Sequence, residues 1–460
     1  MPDAVLTAAA ESAVPIRLAT AGEATGLIEA LPPELRAQAK AARFAGKAGE
    51  VAMLTEAHGL ALVLAGLGDG ASAMAARGLP ARLAPGAYAF EPRETGPGAE
   101  SLVLAFALGS YRFDRYRKGH GEPRAQLVAH DGADLEALRA VWHACALARD
   151  MINTPASDMG PLQMETIARE VAETFGAEIT VTTGDALLES GYPAVHAVGR
   201  AAAADRSPRM IEISWGEAGR PLVALVGKGV VFDSGGLDIK PSAGMRLMKK
   251  DMAGAAHALA LGRMVMAAAL PVRLAVLLPV VENAIDGSAM RPGDVLASRK
   301  GLTIEVGNTD AEGRLILADA LARAGELDPD LTIDLATLTG AARVAVGPEL
   351  APYYTDDEGL AQAIEAAARE AEDPVWRMPL WNGYESAIES DVADLRNDPD
   401  AWAQAGSVTA ALFLRRFAPA RAWAHFDIFA WNARQRPGWP VGAEVQAIRG
   451  LFRMLERRYS

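Results

Sequence analysis

The strongest constraint on the fold is an alternation of short apolar runs with helical stretches in the second half of the chain. Apolar runs typical of buried strands lie at 211–214, 221–226, 273–280, 303–306 and 331–335. Helical periodicity covers 253–268, 315–326 and 445–457. Strands that alternate with helices predict an α/β fold with a central, mostly parallel sheet flanked by helices on both faces. Ligands of such sheets bind beyond the carboxyl ends of the strands, so candidate residues are sought there.

The first 130 residues carry a weaker version of this pattern. Apolar runs at 60–65 and 102–107 alternate with Ala-rich stretches and predict a small α/β domain, with loops between 78 and 99 where prolines and glycines cluster. Apolar residues at helical spacing then predict a helix that starts at Asp131 or Asp134 and ends near Pro155. The sequence thus predicts an N-terminal α/β domain (1–130), a connector helix (131–154) and a larger C-terminal domain (155–460).

Composition excludes several classes of protein. The chain has 45 Lys and Arg against 58 Asp and Glu, and this net charge of -13 argues against a surface built for nucleic acid or anionic membranes. A single cysteine, Cys145, excludes an intrachain disulfide and any Cys-rich zinc module. The 7 histidines form no close pair, so any metal site would consist mainly of carboxylates.

The sequence has neither a recognisable signal sequence nor an apolar span of about 20 residues. We therefore expect a soluble, cytoplasmic protein without a membrane partner.

A glycine-rich stretch at 227–241 follows the strand predicted at 221–226. Such stretches often bind phosphate, but a P-loop needs Ser or Thr after its lysine, and Gly229 follows Lys228. A dinucleotide fingerprint would need a glycine at Phe232, and no G-x-S-x-G elbow surrounds Ser234. A nucleotide-binding α/β module is therefore the weaker interpretation.

Four carboxylates lie near predicted strand ends and helix starts, namely Asp233, Asp251, Asp310 and Glu312. Asp251 could instead be an N-cap, and 308–314 could be a solvated turn, although an extended conformation would place Asp310, Glu312 and Arg314 on one face. Clustered carboxylates repel each other. Two divalent metals about 3.5–4 Å apart would relieve this repulsion and lower the pKa of a bridging water. Because oxygen ligands suit Mg²⁺, Mn²⁺ or Zn²⁺, the residues indicate a two-metal hydrolase.

Several segments resemble the leucyl (cytosol) aminopeptidase family. The string NTDAEGRL at 308–315 matches the signature of that family, and VGKGVVFDSGGLDIKPSAGMRLMKKDMAGAA at 226–256 is similar to its metal-binding segment. Further similarity runs from 148–155, through 390–395 and 405–414, to the C-terminal stretch. The likeness thus covers the chain from about 148 onwards, whereas the N-terminal segment has no diagnostic motif.

This resemblance implies a dinuclear-metal aminopeptidase, a hydrolase and protease that removes Leu-like or other apolar N-terminal residues from peptides. Asp233 and Glu312 would bridge the two metals, Lys228 and Asp251 would complete one site, and Asp310 would complete the other. The ions would be Mn²⁺ or Zn²⁺, with Mg²⁺ as a further candidate, and a bridging hydroxide would attack the peptide carbonyl.

The resemblance also implies roles around the metals. Lys240 would polarise the scissile carbonyl, and Arg314 would hold a bicarbonate ion that acts as general base. Met248, Thr337 and Gly340 match positions that line the pocket for the first side chain of the substrate, although ordinary core or turn residues would fit the sequence nearly as well. The family further implies a homohexamer.

A non-catalytic hexameric scaffold or DNA-binding protein on the same fold is the alternative interpretation. Residues 111–118 interleave aromatic and basic side chains and form a candidate nucleic-acid patch, but the acidity of the chain favours a solvated surface there. Every metal-ligand position of the family pattern is filled. We therefore expect an enzyme that acts on peptide substrates and has no nucleic-acid partner.

Overall fold

The computed structural model describes residues 5–10, 12–70, 72–118, 124–130, 132–399 and 404–460. The chain divides into two compact units. Unit 1 consists of 1–146 together with 432–441, and unit 2 consists of 147–431 together with 442–460. Each unit has its own main sheet.

Unit 1 contains a six-stranded sheet in the order β1-β6-β5-β2-β4-β3, parallel except for the pair β3 and β4. The strand next to the edge strand β3, namely β4, is continuously buried over 62–67, as expected for a strand covered on both faces. The strands are β1 (Leu6–Thr7), β2 (Val14–Thr20), β3 (Val51–Glu56), β4 (Gly59–Gly68), β5 (Gly86–Phe90) and β6 (Ala125–Val128). The helices are α1 (Ala24–Glu29), α2 (Pro33–Ala41) and α3 (Ala99–Gly109), with a 3₁₀ helix at Ala73–Gly78.

Two predictions for unit 1 are wrong in detail. The apolar run at 102–107 lies inside α3 rather than in a strand, because this helix is buried on nearly all sides and shows no polar face. The region at 78–99 contains β5 in addition to loops. Prolines and glycines there mark the ends of that short strand and do not exclude it.

The predicted helix before Pro155 is present as α4 (Leu135–Asn153). The carboxylate of Asp134 accepts a hydrogen bond from the Ala137 N–H at 3.0 Å and caps the helix start. The other predicted cap, Asp131, lies outside the described residues. Leu138, Trp142 and Cys145 lie on the buried face.

Unit 2 is built on a nine-stranded sheet in the order β16-β15-β18-β14-β9-β11-β8-β7, with β10 also paired to β11. Its centre is parallel, and antiparallel pairing occurs only towards the edges, where β8 meets β11 and β7, and where β15 meets β18. The strands are β7 (Glu178–Thr183), β8 (Arg209–Trp215), β9 (Leu222–Gly227), β10 (Gly229–Asp233), β11 (Arg273–Asn283), β14 (Leu331–Ala336), β15 (Ala351–Tyr354), β16 (Val375–Arg377) and β18 (Ala422–Asp427). The prediction of a mostly parallel central sheet flanked by helices is confirmed.

The helices and shorter strands of unit 2 complete the fold. The helices are α5 (Pro161–Phe175), α6 (Ala186–Glu189), α7 (Pro193–Gly199), α8 (Ser242–Met245), α9 (Ala253–Ala267), α10 (Gly313–Glu326), α11 (Gly340–Val346), α12 (Glu358–Glu370), α13 (Gly406–Arg415) and α14 (Ile448–Tyr459). A three-stranded sheet contains β12 (Val295–Ala297), β13 (Thr303–Glu305) and β17 (Leu395–Arg396), and β19 (Trp431–Asn432) pairs with β20 (Gly442–Ala443). No helix among the described residues is long and apolar enough to cross a bilayer.

Candidate active site

Three carboxylates converge beyond the carboxyl ends of the parallel strands of unit 2. Asp233 ends β10, whereas Asp310 and Glu312 lie in the turn before α10. One oxygen from each of the three lies within 4.8 Å of the other two. Asp233 and Glu312 are buried and Asp310 is half-buried, so this concentration of negative charge is largely removed from solvent.

The turn that carries Asp310 and Glu312 differs from both interpretations of its sequence. It is not extended, since Glu312 has φ of -75° and ψ of -32° directly before the first residue of α10. It is not solvated either, since Glu312 is 1% and Arg314 is 6% exposed. A tight turn into a buried helix, rather than the alternation of a strand, therefore brings these side chains to the centre.

Asp251 belongs to the same site and is not a helix cap. The N-cap residue of α9 is Met252, and the Asp251 carboxylate accepts a hydrogen bond from the Thr337 hydroxyl at 2.8 Å. The start of α9 lies so close to β14 that a Cβ at Gly254 would come within 2.1 Å of the Leu335 carbonyl oxygen. This close approach needs glycine and holds Asp251 beside the end of β9.

Two lysines lie between the four carboxylates. The Lys228 ammonium contacts Asp251, lies 3.2 Å from Glu312, and donates to the Thr337 carbonyl at 2.9 Å. The Lys240 ammonium contacts Asp310 and lies 2.7 Å from Asp233. Both lysines that the sequence singled out thus join the acidic cluster.

Burial and the neighbouring charges together set the pKa values of the cluster. Burial, with a further contribution from the charge of Asp233, raises the pKa of Glu312 to about 8 and that of Asp310 to about 6. Burial also raises the pKa of Asp251. Burial by itself would lower the pKa of Lys228 and of Lys240, but the surrounding carboxylates outweigh it and raise both. The cluster thus favours positive partners.

The donor set fits divalent metals. Four carboxylates face two ammonium groups, which leaves an excess of negative charge in a buried space. A dication would favour the ionised forms of Asp251, Asp310 and Glu312, whose burial raises their pKa values. Carboxylate oxygens are ligands that Mn²⁺, Mg²⁺ and Zn²⁺ accept.

Arg314 lies in α10 next to the cluster. One of its terminal nitrogens donates to the Asn397 carbonyl, whereas its buried Nε has no hydrogen-bond partner among the described residues. Burial lowers the pKa of this guanidinium. A buried guanidinium nitrogen without a partner is suited to a small oxyanion.

The three predicted pocket residues differ in how they relate to the cluster. Thr337 is hydrogen-bonded to Asp251, and the Met248 carbonyl accepts a hydrogen bond from the Asp251 N–H at 3.2 Å. Gly340 makes no hydrogen bond to the cluster among the described residues. A Cβ placed there would meet no other atom within 4 Å, so open space adjoins it.

The sequence did not single out three polar residues that orient the cluster. Asn283 donates to Asp233 at 2.8 Å and to the Thr309 carbonyl at 3.1 Å, and the Thr309 hydroxyl donates to the Gly235 carbonyl. The side chain of Asn397 binds the main chain of the turn at Gly307, Asn308 and Ala311. An asparagine at the end of a long apolar strand, as at position 283, is the kind of signal that could have identified them.

Comparisons with known proteins agree with this geometry. Residues 146–451 match the cytosol aminopeptidase family, catalytic domain, and residues 14–129 match the M17 aminopeptidase, N-terminal domain. A probable cytosol aminopeptidase of Rhizobium meliloti (strain 1021) is 38% identical, with 96% of this chain and 95% of that protein covered. A similar relative from Syntrophotalea carbinolica is 42% identical over 77% of this chain and 74% of its own length.

Solved structures show the same likeness. A crystal structure of a cytosol aminopeptidase from Coxiella burnetii has a TM-score of 0.93 and 44% identity, and covers 99% of both chains. The bottromycin maturation enzyme BotP, solved in complex with Mn, has a TM-score of 0.87 and 33% identity, with 97% of this chain and 99% of that chain covered. The chain therefore belongs to the cytosol aminopeptidase family and is a hydrolase of peptide bonds.

Proposed function

We propose that unit 2 is a two-metal aminopeptidase centre that removes apolar, Leu-like residues from the N-termini of peptides. The observation that carries this proposal is the convergence of Asp233, Asp310 and Glu312, which Lys228 links to the buried Asp251. The pKa values of Asp251, Asp310 and Glu312 are raised. Such a cluster is unfavourable in a folded protein unless cations compensate it.

The ligand set would consist of five residues. Asp233 and Glu312 are the most buried carboxylates near the centre and are suited to bridge two ions. Lys228 and Asp251, which contact each other, would complete one site, and Asp310 would complete the other. Lys228 binds as a neutral amine only if a neighbouring dication lowers its pKa. Mn²⁺ or Zn²⁺ would fill the sites, with Mg²⁺ as a third candidate. When bound, the ions would polarise the peptide carbonyl, activate water and anchor the free α-amine.

Other residues of the chain would act on the substrate directly. Lys240 lies between Asp233 and Asp310, so its ammonium is held where negative charge would develop on the carbonyl oxygen. Arg314, whose Nε has no hydrogen-bond partner among the described residues, would hold a bicarbonate ion, which would supply a general base at the site. Gly340, which adjoins open space, would receive the first side chain of the peptide together with Thr337 and Met248, both of which are hydrogen-bonded to Asp251.

Hydrolysis of Leu-p-nitroanilide tests this proposal. We expect activity with Mn²⁺ or Zn²⁺ that is lost after exhaustive treatment with EDTA and restored when the metal is returned. Acetyl-Leu-p-nitroanilide, which has no free amine, is the matched control and should be inert. Activity that survives complete chelation, or equal cleavage of the acetylated substrate, would contradict the proposal.

The cellular location and the oligomeric state of the enzyme are part of the proposal. We expect a cytoplasmic homohexamer, and light scattering that shows a stable monomer would contradict that assembly. Nothing in the comparisons favours a scaffold or a DNA-binding role over the enzyme. A catalytically inert chain that retains its metals would revive that alternative.

A further inference from the structure

Unit 1 contains a cavity of about 470 Å³ that is separate from the carboxylate cluster of unit 2. Its walls come from the segment after the 3₁₀ helix, from the end of α3, from the start of β6 and from the loop at 435–440. All of its lining residues belong to unit 1. The volume is within the range of about 300–1,000 Å³ that small-molecule pockets occupy.

The charged side chains that line the cavity are all positive. Four arginines, Arg82, Arg112, Arg124 and Arg436, line the cavity, and none of its lining residues is a carboxylate. Unit 1 as a whole has 16 basic and 16 acidic residues, so its net charge is zero. The concentration of guanidinium groups is therefore local and does not reflect a generally basic unit.

Two of these arginines are available to a ligand. The Arg124 guanidinium is held by the Ser110 carbonyl at 3.2 Å and by Asp114 at 3.1 Å. In contrast, Arg82 and Arg112 are exposed, and their side chains form neither an ion pair nor a hydrogen bond within the part of the chain that the structure describes. An arginine side chain without an intramolecular partner can donate two parallel hydrogen bonds to two oxygens of one phosphate group.

The cavity wall is fixed by close packing of the main chain. A Cβ at Gly109 would lie 1.9 Å from the Arg77 carbonyl oxygen, and one at Gly438 would lie 2.5 Å from the Arg77 carbonyl carbon. Gly438 also has φ of +80°, a conformation that favours glycine. The Arg77 guanidinium lies 4.6 Å from the centre of the Trp439 ring. Because the segments are held this tightly, the cavity is formed before any ligand binds, which favours affinity.

We propose that this cavity binds a small phosphorylated molecule that carries at least two negative charges, of the size of a nucleoside diphosphate. Several guanidinium groups around one cavity favour a polyanion over a singly charged carboxylate. The volume accommodates more than an inorganic anion and less than a folded partner. This site does not depend on the proposed peptidase chemistry, since it shares no residue with the carboxylate cluster.

Isothermal titration calorimetry on the full-length, metal-loaded protein tests the proposal, with ADP and inorganic pyrophosphate as probes and adenosine as the uncharged control. We expect ADP and pyrophosphate to bind and adenosine not to bind. The double variant R82Q/R112Q should weaken ADP binding roughly tenfold or more. The matched double variant R115Q/R117Q removes the same charge from exposed positions that do not line the cavity, and should leave ADP binding unchanged within about twofold.

Three results would overturn the proposal. They are the absence of ADP and pyrophosphate binding at millimolar concentration, equal weakening in both double variants, and ADP binding that persists in R82Q/R112Q. A single-stranded oligonucleotide that binds while ADP does not would instead indicate a nucleic-acid surface on 111–118. If R82Q/R112Q does not fold, the single variants R82Q and R112Q decide the question, since both side chains are exposed.

Discussion

The two units are both built on sheets with parallel centres, but they place their charges differently. Among the described residues of unit 1, Arg77 is the only charged side chain that is buried, whereas unit 2 buries thirteen. Unit 1 has zero net charge, and unit 2, with 42 acidic and 29 basic residues, carries the whole -13. Buried charge is unfavourable unless it is paired or binds a metal, so its concentration in unit 2 identifies where the chemistry lies.

The largest expected loss of activity comes from a comparison of two Glu→Gln variants, one in each unit. Glu312→Gln removes a charge from the buried cluster and should lower kcat/KM for Leu-p-nitroanilide by about a thousandfold or more, because the proposed metal centre would lose a bridging ligand. Glu50→Gln in unit 1 is the matched variant. Glu50 accepts hydrogen bonds from the Ala45 and Lys47 N–H groups, and its loss of charge should change activity by less than about twofold. Steady-state kinetics with metal analysis by mass spectrometry measures both. Equal losses in the two variants would refute the contrast.

A second prediction compares Lys240, which we propose to be catalytic, with an exposed lysine of unit 1. Lys240→Ala should lower kcat by about a hundredfold to a thousandfold while the metal content stays near two ions per chain, because in the proposed mechanism this ammonium would stabilise charge and would not bind metal. Lys40→Ala in unit 1 removes an exposed lysine that pairs with Glu29 and should leave kcat unchanged. Loss of metal from the Lys240 variant would show that its role has been misassigned.

The raised pKa values predict a pH dependence of metal binding. Protons compete with metal for Asp310 below about pH 6 and for Glu312 below about pH 8, so the apparent affinity for Mn²⁺ should rise by at least about tenfold between pH 6 and pH 8. A pH-independent affinity in calorimetry, with buffer ionisation accounted for, would contradict this account.

The raised pKa of Glu312 also makes the stability of the metal-free protein depend on pH. The folded pKa of Glu312, about 8, lies above that of an unfolded chain, so its stabilising contribution is complete below about pH 4.3 and is lost as the pH rises through 8. In EDTA, Tm should therefore fall from pH 6 to pH 8. Saturating Mn²⁺ should abolish the fall, and Glu312→Gln should reduce it.

The smallest effect concerns residues that hold a turn in place. Asn397→Ala would leave main-chain groups of the turn at 307–311 without partners, at a cost of about 1–3 kcal/mol in unfolding free energy and with a roughly tenfold loss of kcat. Gln38 in unit 1 binds the main chain of Thr55 in a similar way, but at an exposed site. Gln38→Ala should cost less than about 1 kcal/mol and leave kcat unchanged, as measured by urea unfolding and kinetics. A stronger effect of Gln38→Ala on kcat would contradict the contrast.

The sequence predicted unit 2 better than unit 1 because buried parallel strands produce long apolar runs. The runs at 221–226 and 331–335 lie in β9 and β14, whereas β18 was not predicted, since its polar residues His425 and Asp427 interrupt the apolar pattern. The side-chain hydrogen bonds of these two residues go to distant segments, for example between His425 Nδ1 and Asp334 at 2.6 Å. Such pairing between distant strands leaves no local signal.

The sequence identified the carboxylates of the site correctly, but it did not predict the local backbone conformation that brings them together. Alternation along an extended segment suggested that Asp310 and Glu312 share a face, whereas a turn held by Asn397 brings them together. Asp251 matched the pattern of an N-cap because the sequence around it does not reveal the contact with Thr337. Packing of segments that are far apart in the chain decided each of these cases.

The most direct test of the central claim is anomalous diffraction from crystals grown with Mn²⁺. We predict two manganese peaks about 3.5–4 Å apart, both in contact with Asp233 and Glu312, one also with Lys228 and Asp251, and the other with Asp310. A single peak at this site, or manganese bound only elsewhere, would contradict the assignment of unit 2 as a two-metal aminopeptidase centre.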